Sequence, residues 1–126
     1  MKEILTNKAA APVGPYSQAI EVSNLVFTSG QLPVNPETGE IDQDNIEWQT
    51  NQVLNNLKAI LERAGTNFNN VVKSTIFLKD MNDFATVNKI YGEACGKLFP
   101  ARSCYQVGKL PKDALIEIEV IAVKNN

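Results

Sequence analysis

The chain contains no histidine at all. That excludes a His general base, a Ser-His-Asp or Cys-His pair, and any imidazole metal site. Acid–base work must therefore fall to Glu, Asp, Tyr, Lys, Cys or water. Cysteine is scarce, with only Cys95 and Cys104. Their spacing fits neither a C-x-x-C redox pair nor a zinc arrangement, and two ligands do not hold a zinc ion, so no metal site is expected. No apolar run approaches the roughly 18 residues that a membrane helix needs. Neither sign of charge is in excess: 12 Lys and Arg stand against 14 Asp and Glu, for a net charge of −2. With an isoelectric point near 5.1, the chain lacks the basic stripe of a dedicated nucleic-acid binder. It also lacks a P-loop or GxGxxG element, which argues against a nucleotide cofactor. Free thiols, and a Met1–Leu5 start too short and too soon polar for an export signal, lead us to expect a reducing, cytoplasmic setting.

What is present suits one domain over residues 1–126, without repeats or a linker. Residues 2–5 read as a short edge strand, and Gly14-Pro15 as a turn. Residues 18–22 and 25–29 read as a hairpin across Ser23-Asn24. Asp44 is the expected N-cap of a first helix, with Glu47 completing a capping box. Ile46, Val53, Leu54, Leu57, Ile60, Leu61 and Ala64 recur at helical spacing, and Gly65 supplies the stop. Residues 71–79 are rich in β-branched residues and read as a strand. A second helix over 81–95 carries Phe84, Val87, Ile90 and Tyr91 on one face. Two more strands follow, over 101–109 and 114–123, joined by a turn at Leu110–Asp113. This order predicts an α+β fold, a mainly antiparallel sheet with both helices on one face.

In the last strand Ile116, Ile118 and Val120 suit the helix-covered core. Leu115, Glu117, Glu119 and Ile121 point the other way. An uncovered sheet face that mixes aliphatics with carboxylates suggests a second copy of the chain, hence a homo-oligomer. The last two strands are expected to pair as a hairpin, and keeping Arg102 away from aliphatics then puts Arg102 and Cys104 on the face of Glu117 and Glu119. Such an Arg suits a small carboxylate, because its planar fork makes two charge-assisted hydrogen bonds. A nearby Glu could orient or deprotonate a water. Spacing alone favours a structural ion pair for this Arg/Glu set and a packed thiol for Cys104. Tyr16 could line a pocket or merely pack its ring. Ser29-Gly30 could admit a ligand to the backbone or be an ordinary strand end. Asn88 could be a buried polar anchor or face solvent.

Several segments together resemble the RidA family, also called YjgF/YER057c/UK114. They are Pro100-Ala101-Arg102-Ser103-Cys104, Leu110-Pro111-Lys112-Asp113 and Ile116-Glu117-Ile118-Glu119, with Gly14-Pro15-Tyr16-Ser17-Gln18, Thr28-Ser29-Gly30-Gln31-Leu32-Pro33 and Asn82 to Asn88 in the expected order. The resemblance covers nearly the whole chain. It implies a chorismate-mutase-like α+β fold, a homotrimer with clefts between subunits, and cofactor-free hydrolysis of 2-imino acids such as 2-iminobutanoate and 2-iminopropanoate to 2-oxo acids and ammonia. It also implies that Arg102 grips the substrate carboxylate and Glu117 positions the attacking water. Tyr16, Ser29, Gly30, Asn88 and Cys104 would complete the substrate-binding set. A protonated imine is already electrophilic, so neither His nor metal is needed. Tyr105, Gln106 and Gly108 depart from the more usual Val-Glu-Val-Ala after the Cys, and the stretch from Asn88 to Pro100 is shorter than in many relatives. Two other functions belong with this resemblance. One is a regulatory module that binds a small carboxylate without turnover. The other is ribonuclease activity or translation inhibition, which the acidic charge and missing His weaken. Neither a membrane nor nucleic acid is an expected partner.

Overall fold

The computed structural model describes residues 1–124. Strands β1 (Lys2–Ile4), β2 (Ala19–Val22), β3 (Leu25–Thr28), β4 (Val71–Leu78), β5 (Ala101–Gln106) and β6 (Ile116–Val123) make one sheet in the order β1-β2-β3-β6-β4-β5. Neighbours are antiparallel except β4 and β5, which run parallel. Helices α1 (Ile46–Ala64) and α2 (Phe84–Ala94) cover one face. From them Val53, Leu57, Leu61, Val87 and Tyr91 pack on Ile76, Leu78, Ile116, Ile118, Val120 and Ala122 of β4 and β6. The α+β fold expected from the order of elements is therefore the fold observed, with a mixed, mostly antiparallel sheet.

Local rules set most element boundaries. The α1 cap is Asn45 rather than Asp44: its Oδ1 accepts from the Trp48 N–H at 2.8 Å. With the cap one residue later, Glu47 cannot close a capping box and instead faces the positive end of the helix dipole. Gly65 stops α1 at φ +85, and the Thr66 N–H donates to the Leu61 carbonyl at 2.9 Å. The second helix starts at Phe84, after a 3₁₀ turn over Met81–Asp83 that Asp80 caps through the Asn82 N–H.

The expected hairpin of the last two strands does not form. Strand β4 lies between β5 and β6. Chain leaving β4 crosses the sheet through α2 and returns parallel at the outer edge, as a βαβ connection must. The segment over Pro111–Asp113, with Lys112 and Asp113 both at positive φ, then carries the chain past β4 to the centre of the sheet.

Candidate active site

That topology decides which faces the candidate residues occupy. Arg102 pairs with Ser74, and Cys104 with Ile76, across the parallel ladder. In β6, Val120 pairs with Ser74 and Ile118 with Ile76, while Glu117 pairs with Phe77 and Glu119 with Thr75. Paired residues share a face. Arg102 and Cys104 therefore sit on the helix-covered side, and Glu117 and Glu119 on the open side, so the expectation that all four share one face is corrected. The charge argument failed because Arg102, at the sheet edge, meets no wall of aliphatics. Its guanidinium carbon lies 5.4 Å from the ring centres of both Phe84 and Tyr91. Its Nη1 donates to Asn88 Oδ1 at 2.7 Å.

This cluster comes from spacing in α2: Phe84, Asn88 and Tyr91 are four and three residues apart, on one helical face. Below them the Tyr91 hydroxyl and Ser74 Oγ share a buried hydrogen bond of 2.6 Å. Burial pushes the Tyr91 phenol up to about 12, so it remains protonated. Burial also raises the thiols of Cys95 and Cys104, against the lowering influence of Arg102. A raised thiol is a poor nucleophile, and both side chains pack against the hydrophobic core.

On the other side a cavity of about 530 Å³ is lined by Tyr16, Ser29, Gly30 and Glu117 together with apolar Ala10, Val13, Leu32 and Val34. Ser29 Oγ donates to the Ser17 carbonyl at 2.6 Å. Gln31 and Ile118 exchange backbone hydrogen bonds at 2.8 and 3.2 Å, which presses Gly30 against Glu117. A Cβ at Gly30 would clash with the Glu117 carboxylate, so glycine leaves that group room where it stands. Burial, and then the neighbouring charge of Glu119, raise the Glu117 carboxyl above the ordinary range.

Buried amides fasten the irregular walls of this pocket. Gln18 Nε2 donates to the carbonyls of Thr6 and Ala10 at 3.0 and 2.9 Å, and its Oε1 accepts from the Thr6 N–H at 2.8 Å. Asn56 Nδ2 donates to the carbonyls of Leu32 and Val34 at 3.1 and 2.9 Å. A third buried amide, Gln49, lies outside this lining and joins the Gln43 carbonyl to the Leu115 N–H. None of the three is among the residues expected from sequence. Gln49 and Asn56 were nevertheless visible as polar residues seven apart on the apolar stripe of α1.

Residues 6–124 match the family model described as Endoribonuclease L-PSP. A 2-iminobutanoate/2-iminopropanoate deaminase of Escherichia coli is 52% identical over 127 residues, covering 98% of each chain. The chain belongs to the RidA family. A RutC family protein of Pyrococcus abyssi is 55% identical over 121 residues, covering 96% of this chain and 95% of the other. Among solved structures, RidA from an Antarctic Psychrobacter superposes with a TM-score of 0.94 at 44% identity, covering 98% and 99% of the two chains. Escherichia coli TdcF with bound serine gives 0.92 at 44% identity, covering 99% and 100%. Within this RidA-family chain, no helix of the described residues is long and apolar enough to cross a membrane.

Proposed function

We propose that this protein hydrolyses reactive 2-imino acids, such as 2-iminobutanoate and 2-iminopropanoate, to 2-oxo acids and ammonia without a cofactor. The reaction would take place in clefts between the subunits of a homotrimer. The observation that carries this reading is the separation of a cradled arginine from a pocketed carboxylate. From the strand pairing, Arg102 and Glu117 stand about 10 Å apart along the strands and about 10 Å across them, on opposite faces. One copy cannot close both groups on a four-carbon molecule. A second copy covering the open face, where Phe27 and Tyr105 are exposed, would bring a neighbour's Arg102 toward Glu117, Tyr16, Ser29 and Gly30.

The chemistry follows from these groups. The Arg102 fork takes the substrate carboxylate. Glu117 holds a water against the imine carbon and accepts its proton as the C–O bond forms, and its raised pKa makes it a stronger base while ionised. The carbinolamine nitrogen takes that proton back from Glu117, and ammonia leaves as the C–N bond breaks while the hydroxyl gives its own proton to the carboxylate, leaving the 2-oxo acid. Tyr16, Ser29 and Gly30 line the pocket, and Asn88 and Cys104 flank Arg102. The activity in the name of the Escherichia coli relative supports this substrate class. The serine bound to TdcF is an α-amino acid whose carboxylate matches the proposed Arg102 ligand. It also supports a second reading, a carboxylate-sensing module without turnover. Ribonuclease activity, suggested by the family model's description, finds less support in a chain of net charge −2 without histidine.

The test is loss of enzymatically generated 2-iminobutanoate in competition with semicarbazide trapping. The protein is expected to cut the semicarbazone yield, and a yield equal to that in buffer overturns the enzyme reading. If 2-oxobutanoate then still binds, the sensing module replaces it. Arg102→Ala and Glu117→Gln are each expected to keep about a hundredth of the activity or less. Unfolded and refolded together in equal amounts, they should regain activity at about a quarter of the sites, where each interface can combine two intact halves. No regain rejects the shared cleft.

A further inference from the structure

An unrestrained arginine loses rotamer freedom when it grips a ligand, and that loss opposes binding. Arg102 is already restrained. Phe84 and Tyr91 flank its guanidinium at 5.4 Å, Asn88 receives one N–H at 2.7 Å, and Ser74 locks the Tyr91 hydroxyl from below. Both ion pairs among the described residues, Lys109 with Asp113 and Lys124 with Glu21, leave Arg102 out. The chemistry of its one polar side-chain partner is therefore informative. An amide oxygen orients a guanidinium without cancelling its charge. A carboxylate of the same shape would bind it more strongly and compete with any carboxylate ligand for its N–H groups. With one N–H on Asn88, the fork retains four donors.

We infer that Phe84, Asn88 and Tyr91 are positioning residues that pre-set Arg102 for a carboxylate ligand, and that position 88 is an amide because an acid there would take the ligand's place. This rests on the reading of Arg102 as the carboxylate-holding group and assigns the α2 face its part in that task. Asn88 then acts through Arg102 rather than on the substrate itself.

The experiment titrates 2-oxobutanoate calorimetrically into the full-length wild type and into Asn88→Ala, Asn88→Asp and Phe84→Leu, with thermal melting of each. Asn88→Ala is expected to weaken binding about tenfold, by freeing the guanidinium. Asn88→Asp, nearly isosteric, is expected to weaken it about a hundredfold while melting no lower than wild type, because its new ion pair opposes the ligand and not the fold. In turnover of 2-iminobutanoate the same variants should raise KM and leave kcat within about twofold, since the reacting carbon and its water stay in place. If Asn88→Asp binds as tightly as Asn88→Ala or better, the amide is a structural element and the inference fails. Should Asn88→Asp not fold, Phe84→Leu decides: weaker binding at a native melting temperature supports positioning, and unchanged binding overturns it. A wild type that binds no 2-oxobutanoate overturns the reading of Arg102 itself. A wild type that binds and turns over, with Asn88→Asp no worse than Asn88→Ala, overturns only the positioning role.

Discussion

Arg102 stands on a regular strand and is held by the side chains of a regular helix. Glu117 also stands on a regular strand, yet it faces a pocket whose walls are irregular backbone. Against Arg102 the contacts are two aromatic rings and an amide, all from α2. Around Glu117 the walls follow the chain at residues 10–16 and 29–39 and the turn at Pro111–Lys112, fastened by Gln18 and Asn56. A helix face supplies side chains at fixed spacing without further support. A loop wall buries backbone carbonyls, and each of those needs a partner. The two halves should therefore fail differently, the arginine half through affinity and the carboxylate half through geometry and stability.

The largest effect should come from the arginine. Arg102→Ala is expected to lower kcat/KM for 2-iminobutanoate by about a hundredfold or more, and Arg102→Lys, which keeps charge but loses the fork, by about tenfold. Equal activity in the lysine variant would mean that charge alone suffices. On the other half, Gly30→Ala pushes a methyl into the space of the Glu117 carboxylate. It is expected to cost at least about tenfold in kcat with little change in melting temperature, since the clash is with a movable side chain. A collapse of stability instead would show that Glu117 cannot yield. Asn56→Leu strands the Leu32 and Val34 carbonyls. Urea unfolding should show a loss of about 2 kcal/mol, which Asn88→Ala beside Arg102 should not match.

The smallest effect concerns pH. Burial first, and Glu119 second, raise the Glu117 carboxyl, and the active form is ionised, so activity falls as pH drops through that raised value. Glu119→Gln removes the like charge and leaves the burial. The acid limb of the rate profile should move down by a few tenths of a pH unit, and an upward move would overturn the assignment. The sign for stability is the reverse of a salt-bridged acid. A raised native pKa contributes stability below the unfolded value, and that contribution is lost as pH rises through the native value. Glu119→Gln should therefore melt slightly higher than wild type at neutral pH.

The fold was legible because its signals are local. Alternation in β6, the β-branched run of β4, the apolar stripe of α1 and the stop at Gly65 each report their own element. The partner of β5 was not legible. Leu110–Asp113 carries ordinary turn residues, and nothing local says that the chain passes over β4 before entering the sheet. Misplacing β5 put Arg102 on the wrong face. The family resemblance named Arg102 and Glu117 as candidates without that step, since it rests on residue identity and not on register. Gln18 and Asn56 stayed hidden as pocket supports, because a buried amide reveals its purpose only once the loop it holds is in view. Phe84 and Tyr91 were read as core, and they pack there, with Arg102 also against their rings.

Strand β6 turns Ile116, Ile118 and Val120 toward the helices and Glu117 and Glu119 away from them. Deleting a single codon within this stretch would reverse the two sides beyond the lesion, sending a carboxylate inward and an isoleucine out toward the pocket. A one-residue change of length ahead of Glu117 therefore harms packing and chemistry together, whereas a change of two keeps the alternation. Selection against both losses falls on the same strand, so single-residue insertions and deletions in β6 have little room to be inherited.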